Sequence, residues 1–240
     1  MTNKKPMRAP FKAGIVLVIL LVPAFIITFL HLFGENHFSI PTYYPKIDST
    51  TGKVIVVGKD TAFHQIPAYE LIDQTNAKFD GSKLRGNVYV ASFFFSRCGT
   101  ICPKLSSALN RVQDIFIENA GIKFASYTVD PRHDSANVLA NYAKKYEAKK
   151  DKWFFLTGDK RTIYDLAIKG YFLPVSDAAA YDKNVKIDDA FIHSEKLILV
   201  DKKGQIRGYY DGTESKEVER LVAEIRVLLD NYEKNDDKSK

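Results

Sequence analysis

The chain has 240 residues, of which 45% are hydrophobic and 27% charged, with a formal net charge of +6, the make-up of an ordinary globular protein. Residues 1–12 hold Lys4, Lys5, Arg8 and Lys12 and no acid. The rest of the chain therefore carries only about +2, too little for a nucleic-acid-binding surface, and no nuclease, helicase or phosphate-loop motif is present.

Ala13 to Phe33 is free of charged residues. As a helix it would be about 31 Å long, enough to cross a bilayer core, and membrane helices tolerate a mid-span proline such as Pro23. No small-x-small cleavage site follows it. The reading is an uncleaved single-pass anchor over 13–33. The basic residues 1–12 stay in the cytoplasm and 34–240 lie outside it. The short N-terminus lacks a long Arg-rich transit segment, so the membrane expected is the bacterial cytoplasmic (inner) membrane, with a periplasmic C-terminal domain.

About 200 residues then remain for one domain. Residues 34–63, punctuated by Pro41, Pro45, Gly52 and Gly58, read as a tether and early hairpin with a strand at Val54–Val57. Residues 67–73 alternate weakly as a strand, and Gln74–Gly86 reads as a turn region. Val88–Phe95 is apolar at nearly every position, as in a central strand buried on both faces. Ser96, Arg97 and Gly99 end that run. Pro103 suits a first helical turn, and Leu105, Leu109, Val112, Ile115 and Phe116 form the stripe of an amphipathic helix that stops near Asn119–Gly121.

Ile122–Val129 is a second strand, ending in the loop Asp130-Pro131-Arg132-His133-Asp134. Ser135 caps a helix to about Tyr146. Trp153–Leu156 is a third strand, and a helix follows over about 161–169. After a polar insertion at 174–190, Leu197–Val200 and Ile206–Tyr210 form a hairpin around Asp201–Gly204. A helix over 214–229 and a solvated tail over 232–240 complete the chain. A β-α-β half followed by a β-β-α half is the thioredoxin arrangement, a three-layer α/β/α domain over 64–231 with a parallel central sheet.

Cys98 and Cys102, the only cysteines, fall between the central strand and the start of its helix. Free N–H groups and partial positive charge there favour thiolate over thiol. Two thiolates in one short loop can close on each other as a disulfide or close on a soft metal, and outside the cytoplasm they tend to a disulfide unless reduced or metallated. Inert structural cysteines would have no reason to flank a helix start together. Arg97 either stabilises the Cys98 thiolate or is solvated. Asp130 closes a turn before Pro131 or takes a role next to the cysteine site, and His133 is solvated, bonded to Asp134, or an occasional extra ligand. His64 reads as a surface residue.

Cys-x-x-x-Cys-Pro at 98–103, Thr128-Val129-Asp130-Pro131 with Asp134, and the stretch from His193-Ser194 through Leu199–Gly204 to Gly208–Gly212 together resemble the Sco/SenC family over about 64–231. The resemblance implies a membrane-tethered, thioredoxin-like copper chaperone rather than an enzyme. Its ligands would be Cys98, Cys102 and His193, and it would carry copper as Cu(I) or Cu(II). The implied partners are the cytochrome c oxidase subunit with the binuclear CuA site and an upstream copper donor or thiol reductant. Two thiolates and an imidazole suit Cu(I) on softness alone. The alternative is a thiol–disulfide oxidoreductase, with Cys98 and Cys102 as the redox pair, that keeps the oxidase cysteines reduced. Where family members often carry an aspartate before the histidine, this chain has Ile192, with Asp188 and Asp189 further upstream.

Overall fold

The computed structural model describes residues 9–33, 39–174 and 194–238, with side chains described over 14–29, 39–174 and 194–234. Two compact units result, Met1–Phe38 and Ser39–Lys240. The first contains one helix, α1 (Ala9–Phe33), with Pro23 inside it. Its apolar side chains from Ile15 to Phe29 are exposed on all sides. Among the described residues no helix is long and apolar enough to cross a membrane. The span expected over 13–33 extends beyond the described side chains at both ends.

The second unit begins with a small meander containing β1 (Val56–Val57) and β2 (Asp60–Thr61). Then come β3 (Glu70–Asp73), β4 (Lys78–Asp80), β5 (Val88–Phe94), α2 (Ile101–Ile115), β6 (Ile122–Thr128), α3 (Ala136–Lys145), β7 (Trp153–Thr157), α4 (Lys160–Asp165), β8 (Lys196–Val200), β9 (Ile206–Asp211) and α5 (Ser215–Lys238). A seven-stranded sheet runs in the order β4-β3-β7-β6-β5-β8-β9. β5, β6 and β7 are parallel, whereas β8 and β9 on one side and β3 and β4 on the other pair antiparallel.

β5 sits at the centre with all seven residues buried, and strict alternation divides them between two layers. Val88, Val90 and Phe94 join Leu105, Leu109 and Val112 of α2, Leu139 of α3, and Leu221 and Ile225 of α5. Tyr89, Ala91 and Phe93 join Ile163 of α4 and Leu166 on the opposite face. The sheet is thus covered on both faces, as its continuous apolar strands require.

Some elements differ from the sequence reading. The region 74–86 holds β4 and a 3₁₀ turn at Gly81–Leu84. Short side chains make both: the Asp73 carboxylate accepts from the N–H groups of Thr75 and Ala77, and Asp80 accepts from that of Ser82. The helix after β7 is α-helical only to Asp165 and continues as a wider π-type turn over Leu166–Gly170. α5 runs on to Lys238, through residues expected as solvated tail. An i,i+4 ion pair, Lys234 to Asp230, supports that extension. His64 is half-buried, its Nε2 2.9 Å from the Gly170 carbonyl, rather than a free surface residue. The insertion at 174–190 and His193 fall almost wholly outside the described residues.

Candidate metal centre

α2 starts at Ile101, two residues before the proline expected to mark it, with Thr100 as its N-cap. Cys102 therefore lies in the first turn and Pro103 takes the third position, where the N–H has no intrahelical partner in any case. The Cys102 N–H donates to the Cys98 sulfur at 3.4 Å, and the Thr100 hydroxyl lies 3.9 Å from it. The helix start thus curls its free donors around one thiol.

The two thiols are unequal. Partial burial pushes Cys98 up, but N–H donation from Cys102, Thr100 and Ile101, with the Cys102 thiol, outweighs it and brings the pKa down to about 7. Burial pushes Cys102 up to about 12, and the neighbouring Cys98 adds to the rise. Both are free thiols. Near neutral pH about half of the half-exposed Cys98 is thiolate whereas the buried Cys102 holds its proton, the arrangement of an attacking thiol and a resolving one. The same pair offers two sulfur donors to a soft ion once Cys102 releases its proton.

The loop after β6 buttresses the cysteine loop. Asp134 is fully buried. It accepts from the Ser96 N–H at 3.0 Å, from the Ser96 hydroxyl, and from the Thr128 hydroxyl at 2.5 Å. Arg97 donates to Asp130 at 2.7 Å, and His133 Nδ1 lies 2.9 Å from the other Asp130 oxygen. Burial alone would raise the Asp130 carboxyl, but His133 and Arg97 together hold it below the usual carboxylate range. Two aspartates four residues apart thus clamp Ser96 and Arg97 to the end of β6.

This corrects two sequence readings. His133 bonds Asp130, not Asp134, and Arg97 pairs with Asp130. The Ser96–Asp134 clamp was missed altogether. The available signal was that parallel neighbours β5 and β6 end together, Phe94 opposite Thr128, which sets Ser96 beside Thr128 and Asp130–Asp134.

Among the described residues, no three His, Cys, Asp or Glu side chains are grouped to hold a metal ion. The structure brings Cys98 and Cys102 together; His193, the third expected ligand, lies outside the described residues.

Residues 58–230 match the family model described as SCO1/SenC. The "SCO1 protein homolog" of Bacillus subtilis is 26% identical over 170 residues, which cover 70% of this chain and 84% of that protein. Among solved structures, BsSco, described as a member of the Sco family of cytochrome c oxidase assembly proteins and as carrying a disulfide switch, superposes with a TM-score of 0.57. It is 25% identical, over 69% of this chain and 93% of its own. Copper-bound yeast Sco1 shares the fold at a TM-score of 0.52 and 24% identity, over 68% of this chain and 89% of its own. With residues 58–230, well over half of the chain, matched by the family model, this chain belongs to the SCO1/SenC family.

Proposed function

We propose that the chain is a membrane-tethered copper metallochaperone that takes up one copper ion as cargo on Cys98, Cys102 and His193. In this reading it passes the ion to the CuA site of a cytochrome c oxidase subunit. The observation that carries the reading is the unequal cysteine pair at the α2 N-terminus. A sulfur already biased to thiolate at neutral pH meets the incoming ion first. The second is buried and protonated, and its proton leaves as the ion settles, so uptake near neutral pH releases at least one proton per copper. The copper-bound state of yeast Sco1 and the oxidase-assembly role named for BsSco support the assignment. Residues 13–33 act as the anchor in the cytoplasmic membrane, with the basic N-terminus inside and the thioredoxin-like unit outside.

A second reading has its own support. The same split in thiol acidity equips Cys98 and Cys102 for thiol–disulfide exchange, and BsSco carries a disulfide switch. The two readings part at His193. A His193→Ala chain that no longer delivers Cu(I) to an acceptor dithiol peptide, yet still reduces a disulfide in that peptide at the wild-type rate, supports copper delivery. A variant that delivers copper as well as wild type removes His193 from the ligand set and leaves dithiol chemistry as the function.

A further inference from the structure

The meander ahead of the thioredoxin-like unit is built unlike the rest of it. Ile47 pairs with Val54, Val56 with Thr61 and Val57 with Asp60, and the Lys46 N–H donates to the Ala62 carbonyl at 2.7 Å. Its apolar side chains are not turned inward. Ile47 is 61% exposed, Val54 46%, Ile55 37%, Val56 57% and Val57 69%. Successive strand residues point to opposite faces, so Val56 and Val57 of β1, both exposed, present apolar groups on both. A strand that packs on a globular core hides one face and turns a polar one outward; this one hides neither. The headgroup–acyl boundary of a bilayer takes up such exposed apolar side chains.

We infer that the meander over residues 45–63 seats itself in the interface of a phospholipid bilayer. The inference rests on the anchor reading for residues 13–33. Three further observations point to lipid. The meander starts twelve residues after Phe33, so the covalent chain keeps it within roughly 43 Å of the end of α1. Beside the meander lie the exposed rings of Tyr43, Tyr44 and Phe172, with Tyr44 and Phe172 4.2 Å apart and Tyr43 6.2 Å from Tyr209. Tyr44 and Phe172 both hold left-handed backbone, at φ 60° and 51°, which bulky residues adopt only when their surroundings impose it. Amphipathic rings such as those of Tyr43 and Tyr44 are enriched at the headgroup level of membrane proteins. Lys46, Lys53 and Lys59 are exposed around the apolar strip and outnumber its two carboxylates, Asp60 and Asp48, the latter engaged by the N–H groups of Thr50 and Thr51. That leaves cations free for lipid phosphates.

The test is lipid photolabelling of the full chain. The protein is reconstituted with α1 in vesicles of phosphatidylcholine and phosphatidylglycerol that include a phospholipid with a diazirine in its acyl chain. After irradiation, adducts are mapped by mass spectrometry, with α3, a packed helix of the globular unit, as background. The inference predicts adducts on 13–33 and on 54–57. In an Ile55→Asp/Val57→Asp chain, altered only at exposed positions, the adducts on 54–57 fall to the α3 background and those on 13–33 persist. Adducts on 13–33 with none above background on 54–57 overturn the inference and leave the anchor standing. Adducts on neither segment overturn both. Meander-to-meander cross-links between chains, in place of lipid adducts, overturn it in favour of a second copy of this chain.

Discussion

Replacing Asp134 by Ala should loosen the cysteine loop by a calculable amount. The carboxylate is fully buried and receives the Ser96 N–H, the Ser96 hydroxyl and the Thr128 hydroxyl. Half-buried Ser96 can turn its hydroxyl toward water. Its N–H and the fully buried Thr128 hydroxyl would be left without this acceptor, at ~1–3 kcal/mol for each stranded group. The two groups together, with the loss of a small buried volume, amount to about 3–7 kcal/mol, a large share of the ~5–15 kcal/mol that holds a typical domain folded. Asp134→Asn keeps one acceptor oxygen but aims an N–H₂ group at donors, so about 1–3 kcal/mol is expected. Urea unfolding of the copper-free, reduced protein, followed by the fluorescence of Trp153, the sole tryptophan and a fully buried one, measures both. The Asn variant should also change the rate at which Cys98 is alkylated, because Ser96 precedes it by two residues. Losses below about 1 kcal/mol for both variants, with Cys98 reactivity unchanged, would refute the clamp.

In the reduced protein, alkylation of Cys98 should rise through a midpoint near pH 7, with Cys102 silent until far higher pH. Stopped-flow labelling of each single-cysteine variant reads this, and equal midpoints would contradict the thiol asymmetry. The folded Cys98 pKa of about 7 lies below the roughly 8.5 of an unfolded thiol. The stabilisation it brings is therefore fully present above pH ~8.5 and is lost as pH falls through 7; unfolding of wild type against Cys98→Ser across that window checks the sign. A Cys102→Ser chain should trap a mixed disulfide with glutathione on Cys98, whereas Cys98→Ser should trap little, as intact-mass measurement would show. Leu105→Ala, at a site 2% exposed beneath the cysteine turn, should cost about 2–5 kcal/mol in the same unfolding assay.

The centre of the fold was legible in the sequence because it obeys one strong rule. β5, β6, β7 and β8 are apolar runs bounded by turn residues, and the stripe from Leu105 to Val112 has helical spacing. Legibility faded where polar side chains, not periodicity, set the structure. Asp73 and Asp80 fold the 74–86 region through bonds to nearby N–H groups, and composition alone reads such residues as a turn. The cysteine loop was found from residue type and position. Its clamp was not, because Ser96 and Asp134 meet only when two parallel strands end in register. Likewise, His133 faces either aspartate with equal ease in sequence, and only the turn at Pro131 directs it to Asp130. The long α5 extends past its apolar stripe on ion pairing, a weak signal beside the apparent polarity of residues 232–238.

The central claim, a copper site made from an unequal cysteine pair and a histidine, is tested most directly by anaerobic titration of the full-length reduced protein with Cu(I) against a competing chelator, wild type beside His193→Ala. The account predicts one Cu(I) per chain, with affinity in the variant reduced by about tenfold or more, a difference of at least ~1.4 kcal/mol. Equal affinity in both proteins, or no binding in competition with the chelator, would contradict it.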